Sequence, residues 1–342
     1  MVLARVQAVL IAGGLGTRLR PLTLTRPKAL VPLLNRPMVL HLIERLPEVV
    51  DEVIVAANYL TPQLEDFFRR EDVGRPVTVV REKRPLGTGG CLKNLEDRLS
   101  GTFLAFNGDV ISSLAVVDFL AAHRQNGGIG TISLWEVEDP TAFGVVALEG
   151  TRVKKFVEKP PADEAPSRLA NAGAYAFEPE ILDVIRAKEP VSLERDVFPK
   201  VLRKGLHGFQ FTGYWADAGT LETFLRATEI LLRAQGSEVN KLARVLPSAK
   251  VVKPVAIGAD ALVEGEIGPV VTVGRGCAIA DARVSHSVLL DGVTVDAGAS
   301  VSGSILGERC RIGSQASVRN SILGDGVSVK PGAEVVDARV KR

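Results

Sequence analysis

Cysteine is scarce in this sequence, with three residues among 342. Cys91, Cys277 and Cys310 are odd in number, lie far apart and form no C-x-x-C pair. This spacing excludes the disulfide framework of a small secreted domain and the common zinc sites. We therefore predict free thiols in a reducing cytoplasm. The four histidines show no metal-ligand spacing either.

The sequence also lacks a long apolar run and an excess of charge of one sign. No segment is long enough to cross a bilayer, and residues 1–9 do not form a signal peptide. Lys and Arg total 42 against 40 Asp and Glu, a formal charge of +2. This balance argues against a nucleic-acid or membrane-surface partner. We expect a cytoplasmic protein that holds any anionic ligand by a local arrangement of side chains.

What the chain does contain is the apolar and charged content of a globular protein long enough for two domains. In residues 1–235, strand-like apolar runs alternate with amphipathic segments. The clearest strands are Val6 to Ile11, Glu52 to Ala57, Val77 to Arg81 and Thr102 to Phe106. This alternation predicts an α/β, Rossmann-like domain with a mostly parallel mixed sheet and helices on both faces.

From residue 254 the sequence becomes a repeat. Apolar residues follow one another at steps of six, six and five, so that each triplet returns after 17 residues. The triplets are Leu289, Val295 and Val301, then Leu306, Ile312 and Val318, then Leu323, Val329 and Val335. Three short strands with one inward side chain each close a turn of a left-handed parallel β-helix. We predict this domain over 254–342, joined to the α/β domain by a polar linker at 236–253.

A glycine-rich loop, Ala12-Gly13-Gly14-Leu15-Gly16-Thr17-Arg18, follows the first strand directly. Glycines let a backbone approach a phosphate chain and turn its N–H groups toward the anion, and an arginine adds a bidentate contact. The loop lacks the Lys-Ser/Thr ending of a P-loop. It also lacks the third glycine of a dinucleotide fingerprint. Alone, Gly13 and Gly14 would be an ordinary turn at the end of a strand.

Together with later motifs, this loop resembles that of the sugar-1-phosphate nucleotidylyltransferases, and the likeness spans nearly the whole chain. The further motifs are Pro27-Lys28, Glu82 with Pro85-Leu86-Gly87-Thr88-Gly89, Phe106-Asn107-Gly108-Asp109, Phe143-Gly144-Val145-Val146, Phe156-Val157-Glu158-Lys159-Pro160, Asn171-Ala172-Gly173 and Trp215-Ala216-Asp217-Ala218-Gly219-Thr220. The resemblance implies an enzyme that transfers a nucleotidyl group from a nucleoside triphosphate to a sugar 1-phosphate and releases pyrophosphate. It makes 1–235 the catalytic domain.

The resemblance also implies roles for individual residues. Catalysis falls to Arg18, Lys28, Asp109 and Asp217, of which the two aspartates hold Mg²⁺. The nucleotide is bound by Ala12, Gly13, Gly14, Gly16, Thr17, Arg18, Glu82, Pro85, Gly87 and Thr88. The sugar phosphate is bound by Asn107, Gly144, Glu158, Lys159 and Asn171.

Physical chemistry supports a site of this composition. The sugar phosphate is already an anionic nucleophile, so the reaction requires positioning and countercharge and not a nucleophilic side chain. Each residue also has a structural explanation when taken alone. Asp109 or Asn171 could satisfy a turn, Asp217 could cap a helix that starts near Thr220, and Lys28 could be a solvated surface lysine.

The base and the sugar are less clear from the sequence. Gly87 to Gly90 differs from the pattern of short thymidylyltransferases, and Glu194 to Phe198 resembles the guanylyl branch of the family. Gly89 departs from that branch, which often has alanine there. We predict GTP and mannose 1-phosphate, with dTTP or UTP and glucose 1-phosphate as the alternative.

Two other classes of function remain open at this point. A regulatory or scaffold homologue keeps both domains without the catalytic activity. Such a protein would not need to keep the charged residues Arg18, Lys28, Asp109, Lys159 and Asp217. A second, acyl-transfer site in the β-helix would use His286, which we interpret instead as a surface residue of a coil. We expect the β-helix to mediate a homo-oligomer, because solenoids expose long faces that assembly covers.

Overall fold

The computed structural model describes residues 6–342, and the first five residues of the predicted N-terminal segment lie outside this range. The chain divides into two compact units: residues up to 15 together with 39–215, and residues 16–38 together with 216–342. These bounds differ from the predicted boundary at 235. By its contacts, the segment that follows the glycine loop belongs with the C-terminal part of the chain. Among residues 6–342, no helix is long and apolar enough to span a bilayer.

The first unit is built on a nine-stranded mixed sheet. Its strands, β1 to β9 in chain order, are Val6–Ile11, Val50–Ala57, Val77–Arg81, Phe103–Asn107, Gly130–Glu136, Gly144–Glu149, Arg152–Glu158, Leu169–Phe177 and Leu206–Gln210. They lie in the order β3-β2-β1-β4-β8-β5-β9-β7-β6. The neighbours among β1 to β4 are parallel, whereas β8 is antiparallel to both β4 and β5. The predicted Rossmann-like fold with a mixed sheet is confirmed, and the glycine loop follows β1, a strand of its parallel half.

Burial explains why the first strands could be recognised in the sequence. Ala8, Val9 and Leu10 of β1 are completely buried. A parallel strand covered on both faces needs a nearly continuous apolar run, and β1 has one. The carboxyl ends of β1 and β4 lie side by side, with Ile11 paired to Asn107. Loops that leave these two strands are therefore neighbours.

The helices agree with the sequence less uniformly than the strands. The first unit has helices at Met38–Ile43, Thr61–Arg70, Gly87–Lys93, Val116–Asn126 and Phe198–Val201, and the second unit has Leu221–Gln235. The helical spacing of the sequence from Thr61 to Arg70 predicts a helix there, and the structure has one with these ends. The sequence also predicts a helix from Leu193 to Lys204, but the structure has a π-helical turn, one short α-helical turn and a 3₁₀ turn there. Ser192 explains the irregular start, because its hydroxyl accepts from the N–H of Arg195 and its own N–H donates to Asp196.

The second unit contains a left-handed β-helix of three parallel sheets. The first sheet has Glu238–Val239, Val255–Ile257, Val271–Val273, Ser287–Leu289, Ile305–Leu306, Ile322–Leu323 and Arg339–Val340. The second has Arg244–Val245, Leu262–Val263, Ala278–Ile279, Thr294–Val295, Arg311–Ile312 and Ser328–Val329. The third has Lys250–Val251, Glu266–Ile267, Arg283–Ser285, Ser300–Ser302, Ser317–Arg319 and Glu334–Val336. Leu289 pairs with Leu306, and Leu306 with Leu323, so the predicted 17-residue repeat is one coil.

The segment predicted as a linker at 236–253 is the first coil of this β-helix. Its three strands pair in parallel with those of the next coil. The six-residue step begins here, at Val239, Val245 and Val251, and the last two side chains pack against the β-helix core. This coil is at one end of the β-helix and pairs with another coil on one side only, so it has many polar residues. These polar residues made the repeat hard to recognise in the sequence.

The repeated serines form a hydrogen-bonded ladder inside the coils. Ser287, Ser304 and Ser321 are completely buried. The backbone N–H of Ser304 donates to the hydroxyl of Ser287 at 3.1 Å, and that of Ser321 donates to the hydroxyl of Ser304 at 3.0 Å. Each hydroxyl donates in turn to the carbonyl two residues earlier. The serine repeat thus satisfies buried backbone groups where the coil turns.

His286 lies at a corner of the coil and is exposed. Its φ of 45° is left-handed, and Gly303, Asn320 and Asp337 have the same handedness at the equivalent corners of the following coils. Histidine, asparagine, aspartate and glycine are the residues that tolerate this conformation best. The structure therefore gives His286 the role of a corner residue.

The three cysteines are buried free thiols. Cys277 and Cys310 belong to the core of the β-helix. Burial raises the pKa of both thiols to about 12. Since the thiolate is the reactive form, these side chains act as small apolar residues.

Candidate active site

The glycine loop leaves β1 beside the carboxylate of Glu82. A Cβ atom added at Gly13 would lie 3.1 Å from Oε1 of Glu82, whereas one added at Gly14 would meet open space. Gly13 therefore makes room for a side chain of the protein. Gly14 leaves the outer side of the loop accessible to a ligand.

Glu82 itself is buried at the end of β3, with 3% of its surface exposed. Its carboxylate accepts a hydrogen bond from the backbone N–H of Leu86 at 3.2 Å. Burial raises the pKa of the carboxyl, and the Leu86 N–H offsets part of this rise because it stabilises the anion. Glu82 thus connects the glycine loop to the predicted nucleobase loop.

The predicted nucleobase loop packs its backbone against Val191. Gly87 has a φ of 74°, and a Cβ atom there would lie 2.6 Å from the Val191 carbonyl oxygen. The N–H groups of Gly89 and Gly90 both donate to that oxygen. At Gly89, where the resemblance leads one to expect alanine, an added Cβ would lie 3.2 Å from Cγ1 of Val191. The glycine in this chain therefore accompanies a close approach to Val191, while Pro85 and Gly87 remain exposed.

Glu194 joins the nucleobase loop to the predicted sugar side of the site. The hydroxyls of Thr88 and Ser192 donate to its Oε2 at 2.8 and 2.7 Å, and the Tyr175 hydroxyl donates to its Oε1 at 3.3 Å. The Tyr175 hydroxyl also accepts from Nδ2 of Asn171 at 2.9 Å. Neither Glu194 nor Tyr175 is among the site residues predicted from the sequence. Its only signal was the Glu194 to Phe198 motif, which had been interpreted as a mark of specificity.

Asp109 lies in the turn that follows β4 and is half-buried. The preceding Gly108 donates its N–H to the Ile11 carbonyl oxygen, and an added Cβ at Gly108 would lie 3.0 Å from that oxygen. Glycine lets the turn approach β1 this closely without displacing the strand, whereas a larger residue would require a small shift. The arrangement holds Asp109 next to the strand that carries the glycine loop.

Asn171 occupies an irregular part of β8. The register of β8 with β5 shifts between Asn171 and Tyr175. Oδ1 of Asn171 accepts from the N–H of Gly173, whose φ is 77°. A Cβ atom at Gly173 would lie 2.8 Å from Nδ2 of Asn107. Asn171 therefore stabilises a turn, as its structural explanation predicts. The same turn places Gly173 next to Asn107 at the end of β4.

Glu158 and Lys159 end β7 opposite Gly144. Gly144 and Glu158 are paired across the two strands, and a Cβ atom at Gly144 would lie 2.7 Å from Oε2 of Glu158. Burial raises the pKa of Glu158, and the nearby Glu194 carboxylate adds to this effect while Lys159 opposes it. Lys159 is exposed and has a left-handed φ of 52°. Such a backbone is unfavourable for lysine, and strain of this kind concentrates at functional sites.

In the second unit, Gly16 is enclosed by the residues that lead to Lys28. Gly16 has a φ of 60°, and an added Cβ would lie 2.8 Å from Cγ2 of Thr23 and 3.2 Å from Cβ of Lys28. The Thr23 hydroxyl donates to the Gly16 carbonyl oxygen at 2.8 Å. Thr17 is exposed beside it, and Lys28 is half-buried at the start of a 3₁₀ turn. The second half of the glycine loop and the signature lysine thus form one local structure.

Arg18 and Asp217 meet at Gly219. A Cβ atom added at Gly219 would lie 2.5 Å from Nη2 of Arg18 and 3.3 Å from Oδ2 of Asp217. The helix that follows is capped by Thr220, with Thr223 completing a capping box. Asp217 is therefore not the helix cap, which removes its structural alternative. The structure brings together a cation and a carboxylate that are almost 200 positions apart in the sequence.

The predicted residues thus form groups within each unit. The first unit contains Ala12, Gly13, Gly14, Glu82, Pro85, Gly87, Thr88, Asn107, Asp109, Gly144, Glu158, Lys159 and Asn171. The second contains Gly16, Thr17, Arg18, Lys28 and Asp217. Within residues 6–342, no group of three or more His, Cys, Asp or Glu could hold a metal ion.

Comparison with known proteins accounts for both parts of the chain. The sequence model of the nucleotidyl transferases matches residues 7–234, and that of the GMPPB C-terminal domain matches residues 245–341. The chain belongs to the nucleotidyl transferase family. These enzymes transfer a nucleotidyl group from a nucleoside triphosphate to a sugar 1-phosphate, and the family generally uses a divalent metal.

Three individual proteins show how far the similarity extends along the chain. The mannose-1-phosphate guanylyltransferase of Mycobacterium tuberculosis is 37% identical over 86% of this chain and 82% of its own. Mannose-1-phosphate guanylyltransferase 1 of Arabidopsis thaliana is 35% identical over 85% and 82% of the two chains. The crystal structure of HddC from Yersinia pseudotuberculosis complexed with GMP-PN is 27% identical, with a TM-score of 0.57, and matches 66% of this chain and 99% of HddC.

Proposed function

We propose that this nucleotidyl transferase joins GTP to mannose 1-phosphate and forms GDP-mannose and pyrophosphate. The observation that carries the proposal is the complete charged set of Arg18, Lys28, Asp109, Lys159 and Asp217, present in a chain similar over most of its length to mannose-1-phosphate guanylyltransferases. A homologue that had lost the catalytic activity would not need these five charged side chains.

The proposed reaction is a direct displacement at phosphorus. An oxygen of the sugar phosphate attacks the α-phosphorus of the triphosphate, and the bond to pyrophosphate breaks. Both reactants are anions, so the protein must hold them in line and supply positive charge. Arg18 and Lys28 neutralise the triphosphate and the departing pyrophosphate. The N–H groups of the loop around Gly13 and Gly14 hold the phosphate chain.

On the sugar side, positive charge and hydrogen-bond acceptors are provided by neighbouring residues. Lys159 binds the phosphate of the sugar 1-phosphate. Glu158, Asn171 and the backbone at Gly144 bind sugar hydroxyls. The register of β6 and β7 holds Glu158 against Gly144, and the Tyr175 hydroxyl fixes the Asn171 amide. These groups orient the sugar phosphate before the displacement.

We propose Mg²⁺ as the divalent metal, with Asp109 and Asp217 as its protein ligands. Magnesium is usually bound by one or two carboxylates, with substrate phosphates and water completing the shell. A pair of aspartates without a larger cluster of ligands fits this requirement, and the hard oxygen donors disfavour zinc. When bound, the ion would neutralise charge on the phosphates.

A matrix of substrates tests the proposal. Pyrophosphate release is measured with GTP, ATP, UTP, CTP and dTTP, each combined with mannose 1-phosphate and with glucose 1-phosphate. We expect the highest kcat/KM for GTP with mannose 1-phosphate. Turnover of dTTP or UTP with glucose 1-phosphate would support the alternative specificity, whereas no turnover of any pair would support a regulatory protein. A homo-oligomer formed through the β-helix and a cytoplasmic location remain predictions from the sequence.

A further inference from the structure

Two acidic residues of the β-helix hold the segment that follows the glycine loop. Nη1 of Arg26 lies 2.6 Å from Oε1 of Glu308, and Nη2 lies 2.7 Å from Oδ2 of Asp325. The Thr25 hydroxyl donates to the same Asp325 oxygen at 2.7 Å. The side chains of Arg26 and Asp325 are each 12% exposed. This contact is much less solvated than an ordinary surface ion pair.

The acceptors in this contact are themselves held by the coils. Oδ1 of Asp325 accepts from the backbone N–H of Glu308 at 2.8 Å, which links two consecutive coils. Asp325 therefore presents its second oxygen, Oδ2, in a fixed direction. A guanidinium with both terminal nitrogens paired to carboxylates has little freedom to rotate.

The same segment is attached to the β-helix on both sides of Arg26. A Cβ atom at Gly324 would lie 3.1 Å from Cγ of Pro21, so the coil backbone approaches that proline closely. Nδ2 of Asn35 donates to the Val273 carbonyl oxygen at 2.9 Å. Leu34 packs against a small cluster that includes Ala256 and Val270. Contacts near residues 21, 26 and 35 therefore fix the segment along most of its length.

Arg26 is close to the residues that the proposed function assigns to the nucleotide. Pro27 follows it with a φ of −64°, and Lys28 then begins a 3₁₀ turn. Cβ of Lys28 and the Thr23 side chain enclose Gly16. A shift of Arg26 would consequently be passed to Lys28 and to the second half of the glycine loop.

Energetics favour positioning over stability as the role of this contact. Placing charges in a poorly solvated environment has a desolvation cost that the pairing only partly offsets. Nε of Arg26 is also buried without a hydrogen-bond partner. An apolar contact would hold two elements together at a lower cost, whereas a paired guanidinium fixes their register.

We propose that the β-helix positions the nucleotide-binding segment through Arg26, held by Glu308 and Asp325, and thereby sets the affinity for the nucleoside triphosphate. Arg26 is a positioning residue that acts through Lys28 and Gly16. This inference rests on the nucleotide-binding role proposed for that segment. It gives the β-helix a part in the reaction of its own chain.

The test is a double-mutant cycle with Arg26→Gln and Asp325→Asn. Asp325→Asn keeps the shape of the side chain and removes its charge, and Arg26→Gln replaces the guanidinium with a shorter, uncharged polar group. We expect each variant to raise the KM for GTP about tenfold, because small displacements of binding groups have large effects. The KM for mannose 1-phosphate should change less than about twofold. The double variant should resemble the single ones, because the two residues act as a unit. Calorimetric titration with GTP and Mg²⁺ should show the same weakening without turnover.

The matched control is Arg319→Gln, which breaks the ion pair with Glu334, an exposed contact within the coils. It should leave both KM values unchanged. Arg26 variants that lose thermal stability but bind GTP as the wild type does would overturn the inference, and so would additive effects in the cycle. A wild type that binds GTP but turns over no substrate pair would refute the proposed function alone. A wild type that binds none of the five nucleotides would refute both.

Discussion

The loops that carry the predicted chemistry and the coils of the β-helix are stabilised in opposite ways. In the loops, individual positions depend on particular partners that are distant in the chain, such as Gly219 beside Arg18 or Gly108 against Ile11. In the coils, the same contact recurs every 17 residues, as in the ladder of Ser287, Ser304 and Ser321. A substitution in a loop therefore has no neighbouring copy to compensate for it.

This difference separates two kinds of mutational effect. A loop residue that touches the substrates can be changed with little loss of stability, because its contacts within the protein are few. Apart from Glu308 and Asp325, which contact Arg26, a coil residue contributes to a stack in which each repeat stabilises its neighbours, so its loss affects folding. The comparison is correct if the substitutions that lower activity and the substitutions that lower stability fall at different residues.

The largest expected effect is on turnover, from Asp109→Asn and Asp217→Asn. Each removes a carboxylate that we assign to the metal, and we expect kcat to fall about a hundredfold to a thousandfold, as for the loss of other groups that stabilise a charged transition state. Circular dichroism and thermal melting should stay close to the wild type. Wild-type turnover in both variants would contradict the metal assignment. A large loss of stability would contradict the separation of the two regions.

Gly219→Ala should lower kcat/KM about tenfold through displacement of Arg18. The added Cβ would lie 2.5 Å from Nη2 of Arg18, the mobile end of an exposed side chain, so Arg18 moves and the fold is kept. The control is the same substitution in an Arg18→Ala background. Gly219→Ala should have no further effect there. An equal loss in that background would show that Gly219 acts on something other than Arg18.

Acidification should weaken binding of the sugar phosphate at a pH higher than the one at which an ordinary glutamate becomes protonated. Burial raises the pKa of Glu158 above its usual 4.5, so the carboxylate is protonated at a higher pH and then accepts sugar hydroxyls less well. The KM for mannose 1-phosphate is measured from pH 8 to pH 5 in the wild type and in Glu158→Gln. The substrate phosphate titrates in both proteins, so only the difference between the profiles reports Glu158. Parallel profiles would exclude it as the titrating group.

The smallest effect on turnover is expected from Ser304→Ala, which tests the coils. The change leaves the buried Ser321 N–H without its hydroxyl partner, whereas the Ser302 carbonyl oxygen still accepts from the Asn320 N–H. Buried groups left unpaired cost about 1–3 kcal/mol, so the melting temperature should fall while kcat per folded molecule is unchanged. Ser314→Ala, at an exposed position, is the control. A loss of activity without a loss of stability would mean that the coils act on the site more directly than the ladder suggests.

The amino-acid pattern was sufficient to predict the periodic and strongly apolar parts of the molecule. The run from Val6 to Ile11 predicted a buried strand, and the step between Leu289, Val295 and Val301 predicted a β-helix, because each pattern repeats within a short stretch of chain. The motifs around Gly13, Asp109 and Glu158 predicted the chemistry through their resemblance to a family. Patterns and motifs that lie within a short stretch of chain can be recognised from the sequence of that stretch.

The contacts between side chains could be learned only from the three-dimensional structure. It placed residues 16–38 with the β-helix and gave Arg26 its two acidic partners about 300 positions away. It linked Glu194 to Thr88 and Tyr175, and it assigned the helix cap to Thr220 and not to Asp217. Each of these depends on a distance between segments that are remote in the chain, and single contacts of this kind leave no periodic trace in the sequence.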